Sequence, residues 1–393
     1  MKANPGGQIA IEDVVGREDI IETVWDALEQ QSVILVAERR IGKTTIMQVM
    51  EEQPRQGWKV VRQDVEKCHS SLEFAKLIYA DVEQFLSMKG KTMRLCSKIY
   101  SKVEGSKIGV VQLSKGATVG WKELVEAAIS DLVEATKGGQ RLVFMWDEIP
   151  YMIDNIRKSE GAQTAMAILD VLRSLRQNYG ETLRMIYTGS IGLHHVLDFL
   201  KNDGFGNKAT KNDMFQIGVE VLAEEDALAL ANELIKGESI QCENSEALAQ
   251  EIVSLADSFA HYIHCIVKSL KLLDREIELA DVHQEVDKKL RAGGHEWDLD
   301  HYVERLQEYY GDDEDMCIAV LESLAHGNDG LDIEEIANEV SKKGNFGGKK
   351  KIKLRLRKVM KKMMMDHYFE KSEDGRYSFL FGIVKRWCVL NLD

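Results

Sequence analysis

Apolar residues follow two periodicities over roughly the first 220 positions and a single one afterwards. Short apolar runs at Val33–Val36, Trp58–Val65, Leu142–Trp146 and Leu183–Tyr187 have the length and composition of buried strands. Between them, apolar residues recur at helical spacing: Ile20, Ile21, Val24, Trp25 and Leu28; Ile46, Met47, Val49 and Met50; Phe74, Ile78, Val82 and Phe85; Leu124, Val125, Ala128, Ile129 and Leu132; Met166, Leu169, Leu172 and Leu175. Strands alternating with helices predict an α/β fold, a mostly parallel sheet covered on both faces. Its ligand belongs at the carboxyl ends of the strands. Beyond Val221 the strand pattern stops. Stretches 223–236 and 245–274 read as helical, and 281–311 as helical and charged with a break at Gly293-Gly294. The final section predicts three helices, one marked by Cys317, Ile318, Val320, Leu321 and Leu324, then 331–342 and 350–365, with Asp332 capping the second. Two short strands at 368–370 and 377–379 then flank a turn at Ser372–Gly375. Three helices and a β-wing make a winged helix-turn-helix. The expected division is 1–221 for the core, 222–300 for a helical subdomain and connector, and 301–393 for the winged helix. Residues 1–10 read as a mobile tail.

The chemistry concentrates where a strand meets a helix. Ala37-Glu38-Arg39-Arg40-Ile41-Gly42-Lys43-Thr44-Thr45 follows the first apolar run and opens a helix. That is the setting of a phosphate-binding loop. Free backbone N–H groups and the helix dipole attract a phosphate. Gly42 allows close approach, Lys43 reaches the β- and γ-phosphates, and the Thr44 hydroxyl serves Mg²⁺. Arg39, Arg40, Ile41 and Thr45 complete the loop, and Ala37 stands where a first glycine is usual. A strand about 100 residues later ends in Asp147-Glu148. Asp147 would help hold Mg²⁺, and Glu148 would polarise an attacking water as general base. After the next strand, Thr188 or Ser190 either senses the γ-phosphate or caps the helix at 191–200.

Composition narrows the setting. The chain is 44% hydrophobic and 30% charged, and no run of 18 uncharged apolar residues exists, so no membrane span is expected. Six scattered cysteines without a C-x-x-C pair favour neither a zinc ribbon nor a disulfide framework, and fit a reducing cytoplasm. His261, His264 and Cys265 read as helix packing rather than a metal site. A net charge of −14 argues against non-specific coating of nucleic acid. Two basic stretches stand out against that background. Lys89–Lys122, an insertion at about 89–121, carries eight Lys/Arg and one acid; Lys349–Lys362 carries nine and none. The second lies on the third helix of the winged helix. Lys350, Lys353, Arg357 and Lys361 are its candidate DNA contacts, with protein docking as the other reading.

Together these features resemble the archaeal-type ATPases, P-loop proteins of the STAND-like branch related to AAA+ ATPases. The residues that carry the likeness are Gly16-Arg17-Glu18, Arg39-Arg40-Ile41-Gly42-Lys43-Thr44-Thr45, Asp147-Glu148, Thr188-Gly189-Ser190 and the closing Tyr377-Ser378-Phe379. The resemblance implies a P-loop NTPase core, AAA+-like, with a helical lid and a terminal winged helix, using ATP and Mg²⁺. It places Val15, Gly16 and Arg17 near adenine. Where relatives carry Gly-x-Pro in the lid, this chain has Phe259-Ala260-His261-Tyr262. No arginine lies between Arg184 and Arg275, where relatives supply an arginine finger. Lys201, Lys208, Lys211 or a partner in trans would have to substitute, so slow hydrolysis is expected. The implied function is an ATP-dependent switch acting with a protein partner or as a homo-oligomer, in signalling or defence. The alternatives are an ATP-regulated DNA loader similar to origin-recognition ATPases, and a nucleotide-bound structural subunit.

Overall fold

A computed structural model describes residues 1–7, 9–88, 120–136, 139–206, 208–292, 297–327 and 330–392. The chain divides into two compact units: Glu18–Arg39 with Lys43–Val219, and Met1–Arg17 with Arg40–Gly42 and Glu220–Asp393.

The first unit is built on five strands: β1 (Ser32–Val36), β2 (Trp58–Asp64), β3 (Arg141–Asp147), β4 (Leu183–Tyr187) and β5 (Met214–Gly218). Their order is β2-β3-β4-β1-β5 and every pairing is parallel. Parallel strands need crossover helices. These are α1 (Glu18–Gln30), α2 (Lys43–Glu52), α3 (Ser71–Met88), α4 (Trp121–Thr136), α5 (Ile149–Glu160), α6 (Ala162–Asn178) and α7 (Leu193–Asn202). The central strands are fully buried, as their unbroken apolar runs require: Leu142, Val143, Phe144, Met145 and Trp146 are all 0% exposed. Phe74 of α3 meets Trp146 edge-on, with ring centroids 5.5 Å apart, and ties a crossover helix to the sheet. The expected parallel α/β sheet is the observed fold.

Two elements of this unit escape the periodicity. α5 starts directly after Asp147-Glu148 with Pro150 in its first turn, a helix-start signal hidden by the acidic pair before it. β5 lies at the sheet edge with only Met214 and Ile217 buried, while Phe215 is 48% exposed. An edge strand with so thin an apolar pattern does not announce itself. The basic insertion expected at about 89–121 lies outside the described residues up to 119.

The second unit is mostly helical: α8 (Glu224–Gly237), α9 (Ser245–Leu255), α10 (Ala260–Lys271), α11 (Leu279–Arg291), α12 (His301–Tyr309), α13 (Glu314–Ala325), α14 (Ile333–Lys343), α15 (Lys349–Met365) and α16 (Gly382–Asn391). The stretch 245–274, read as helical, holds two helices. Asp257 and Ser258 adopt φ of 50° and 57°, which a continuing helix cannot contain. The Asp332 cap is present, accepting from the N–H groups of Glu334 and Glu335, with Glu335 reaching back to the Asp332 N–H. β6 (Phe369–Lys371) and β7 (Tyr377–Phe379) form the expected antiparallel hairpin, and Leu331 bridges to Tyr377 beside it. α16 returns to α9–α11: the Ile383 N–H donates to Asp257 Oδ2 at 2.6 Å, and Arg386 pairs with Asp287 at 2.8 Å. The amino terminus differs from its expectation of a mobile tail. The Ala3 N–H donates to Glu238 Oε1 at 2.8 Å and the Asn4 N–H to His264 Nδ1 at 3.2 Å. Among the described residues no helix is long and apolar enough to cross a membrane.

Candidate functional site

The carboxyl ends of β1, β3 and β4 bring together most of the candidate residues of the sheet unit. The loop after β1 turns through Arg40 at φ 62° and Gly42 at φ 109°. Gly42 is needed for that conformation rather than for space, since an added Cβ would meet nothing nearer than Arg17 at 3.8 Å. Lys43 opens α2 and is only 7% exposed. Its ammonium folds back over the loop, donating to the Ala37 and Glu38 carbonyls at 2.9 Å each. Buried charge is tolerated here because those two carbonyls solvate it. Glu38 is itself buried and accepts the Arg39 N–H at 2.7 Å.

Thr44 and Asp147 meet directly. The Thr44 hydroxyl donates to Asp147 Oδ2 at 2.6 Å. Burial pushes the Asp147 carboxyl above its ordinary range, while Thr44 and Lys43 pull it back. A hydroxyl and a carboxylate side by side are hard oxygen donors. Mg²⁺ takes one or two protein oxygens and completes its octahedron with water and phosphate, so the donor set fits. Thr45 stands next in α2, half-buried.

Glu148 leaves the strand in a left-handed conformation, φ 61° and ψ 32°, at the start of α5. Expected at the end of the strand, it is instead the turn that follows. Its carboxylate faces the exit of β4. It accepts the Ser190 N–H at 2.8 and 2.9 Å and the Ser190 hydroxyl at 2.9 Å. Burial raises the Glu148 carboxyl, and the Ser190 hydrogen bonds oppose that. Gly189 makes the approach possible: an added Cβ would come within 2.7 Å of Pro150 and 3.4 Å of Glu148 Oε2. Ser190 thus engages the candidate base. Thr188, 2% exposed, keeps its hydroxyl without a hydrogen-bond partner.

One further carboxylate stands beside this site. β2 ends at Asp64, in register opposite Asp147. Its field helps raise the Asp147 carboxyl. The signal is present in the sequence, since an acid closes the strand beside the acid-tipped β3.

Other candidates fall in the second unit. Arg17 is 7% exposed and committed to backbone: it donates to the Ile41 carbonyl at 2.7 Å and to the Glu220 carbonyl at 2.8 Å. Gly16 lies beside Asp226. Arg40 pairs with Asp298 at 2.9 Å. Phe259-Ala260-His261-Tyr262 starts α10, with Phe259 and Tyr262 in the core. Burial holds His261 and His264 neutral, down at about 3 and about 4.

On α15 the basic residues divide. Lys353, Arg355 and Lys362 are engaged by Glu334, Asp313 and the Tyr309 carbonyl. Lys350, Arg357, Lys358 and Lys361 face solvent. Of the four expected contacts, Lys353 is the one paired with an acid. Leu354, 63% exposed, lies on the same face between Lys350 and Arg357.

No protein-family model matches the chain, and no curated protein sequence does. Solved structures do. The Aeropyrum pernix ORC2 protein, in ADPNP–ADP complexes, aligns at 10% identity over 96% of both chains with a TM-score of 0.51. The fold is AAA+-like. The A. pernix ORC1 protein in complex with DNA aligns at 11% identity over 97% of this chain and 94% of that one, with a TM-score of 0.38. A point variant of Thermotoga maritima RuvB aligns at 11% identity over 94% of each chain, with a TM-score of 0.42.

Proposed function

We propose that this chain binds Mg-ATP at the β1–α2 loop and hydrolyses it slowly, as a switch whose nucleotide state sets its affinity for a partner. The observation that carries this reading is the joining of Thr44 to Asp147 beside the folded-back Lys43 ammonium. In this reading Lys43 exchanges its two loop carbonyls for the β- and γ-phosphates, in a dipole field that favours anions. Thr44 and Asp147 would hold the metal, which would supply charge neutralisation to the phosphates, and Gly42 with Arg39, Ile41 and Thr45 shapes the cradle. Glu148, held by Ser190, takes the proton of the attacking water. The absence of arginine between Arg184 and Arg275 leaves the developing charge without an internal finger in that span, hence the slow turnover. The A. pernix ORC2 structure, solved with ADPNP and ADP, supports the nucleotide class through its shared fold. Residues 222–300 act as a lid, and 301–393 as a winged helix that reads out the state. Equilibrium binding of Mg-ATP tests the root of this proposal. Lys43→Ala should lose at least tenfold in affinity, and undiminished binding would sink it.

The second reading is an ATP-regulated DNA-binding protein. The solvent face of α15 favours it: Lys350, Arg357 and Lys361 lie along one side with Leu354 between them. Cations there suit phosphates, and an exposed leucine suits a thymine methyl in the major groove.

A further inference from the structure

Three loop residues, Arg40, Ile41 and Gly42, group with the second unit, although their neighbours Arg39 and Lys43 belong to the sheet unit. Two interactions tie these residues to others of that unit. Arg17 holds the Ile41 carbonyl while also holding that of Glu220. Arg40 holds Asp298 through Nε at 2.9 Å. Asp298 lies in the segment leading into α12, between Trp297 (3% exposed) and Leu299 (2% exposed), and its carbonyl receives His301 Nδ1. The segment is therefore anchored in the core, with one side chain turned to the loop arginine.

Both members of the pair sit in left-handed conformations, Arg40 at φ 62° and Asp298 at φ 56°. L-residues occupy that region at a cost, and persist there when their surroundings impose it. The His261 imidazole lies within the field of both, and burial keeps it neutral. It adds no formal charge to hold Arg40. The Arg40 side chain remains 31% exposed against 14% for Asp298. The arginine is thus the more accessible partner, in a loop that in our functional reading receives a polyphosphate. Guanidinium groups bind phosphate at least as well as carboxylate, often with two parallel hydrogen bonds.

We infer that Arg40 and Asp298 form a competitive coupling contact: a triphosphate in the loop draws Arg40 from Asp298 and releases the segment that leads into α12. Occupancy of the loop then reaches the segment before α12 through one side chain. Asp298 is a regulatory residue in this scheme and touches no nucleotide. This rests on the Mg-ATP reading above.

The test uses the full chain and the hydrolysis-resistant analogue Mg-ADPNP. Asn tolerates left-handed φ as well as Asp does, so Asp298→Asn keeps the backbone and removes only the charge. Removing a partly exposed competing ion pair should tighten analogue binding about two- to five-fold. In an Arg40→Gln background the same substitution should change affinity by less than about 1.5-fold. Hydrogen exchange supplies a second readout. The analogue should raise exchange of amides in 297–309 of the natural protein, and Asp298→Asn should raise it without nucleotide. Unchanged or weaker binding by Asp298→Asn overturns the coupling, as does an equal effect in the Arg40→Gln background. If the natural protein binds no analogue, the Mg-ATP reading falls and the coupling with it; intact binding without an Asp298 effect removes the coupling alone.

Discussion

Replacing Ser190 with alanine separates two roles for that residue. From the sequence it is a candidate γ-phosphate sensor; in the fold its hydroxyl and its N–H turn onto Glu148. Ser190→Ala removes the 2.9 Å hydroxyl bond and leaves both N–H interactions in place. A hydrogen bond to a charged group in a partly buried site contributes about 1–2 kcal/mol, and here it restrains a carboxylate already displaced by its left-handed backbone. If that restraint aims Glu148 at the attacking water, its loss lowers kcat roughly 5- to 30-fold, at about 1.36 kcal/mol per tenfold. Affinity for the nucleotide should change by less than about twofold, because the hydroxyl makes no phosphate contact in this account. Two assays decide the matter: single-turnover hydrolysis at saturating Mg-ATP, and equilibrium binding of Mg-ADPNP. A variant with normal kcat and clearly weakened analogue binding would rule out the Glu148 role and return Ser190 to the phosphate.

A buried carboxylate and a basic face give two further expectations. Asp81 of α3 accepts from Gln63 at 2.7 Å, while its other oxygen lacks a partner. Burial pushes its carboxyl from 3.8 up to about 6. The folded chain therefore holds this proton more tightly than the unfolded chain, and the group's contribution falls as pH rises from about 4 to about 6, by at most about 3 kcal/mol. Asp81→Asn lacks that loss, so its stability relative to the natural protein should rise between pH 4.5 and pH 7.5 in urea titrations; a constant difference would contradict the assignment. On α15, neutralising Lys350, Arg357 and Lys361 should lower duplex DNA affinity and reduce the log–log salt slope by up to about 3, roughly 0.9 for each phosphate no longer neutralised. Neutralising Lys353, already paired with Glu334, should change the slope far less.

Much of the sheet unit is legible because its strands are buried on both faces. Val33–Val36 and Leu142–Trp146 stand out as continuous apolar runs, and Gly-Lys-Thr and Asp-Glu sit at their ends. The β6–β7 hairpin and the Asp332 cap are equally readable, since turn and cap chemistry is local. What stays hidden depends on tertiary neighbours. β5 carries only two buried residues and owes its place to pairing with β1. The break at Asp257–Ser258 is a backbone choice that periodicity passes over, because apolar spacing continues on both sides. The directions of side chains are least accessible. Nothing in the spacing says that Ser190 faces Glu148, that Lys353 is taken by Glu334, or that Arg40 pairs with a residue 258 positions away.

In the proposed function Glu148 activates water at a Mg-ATP site built from Lys43, Thr44 and Asp147. Phosphate release by the purified chain, measured in single turnover beside retention of labelled ATP, tests it directly. Glu148→Gln should bind ATP with affinity within about threefold of the natural protein, retain it unhydrolysed, and release phosphate roughly 100-fold more slowly or slower still, the scale of a lost general base. Hydrolysis at the natural rate by Glu148→Gln, or equal loss of binding and turnover, would contradict the account.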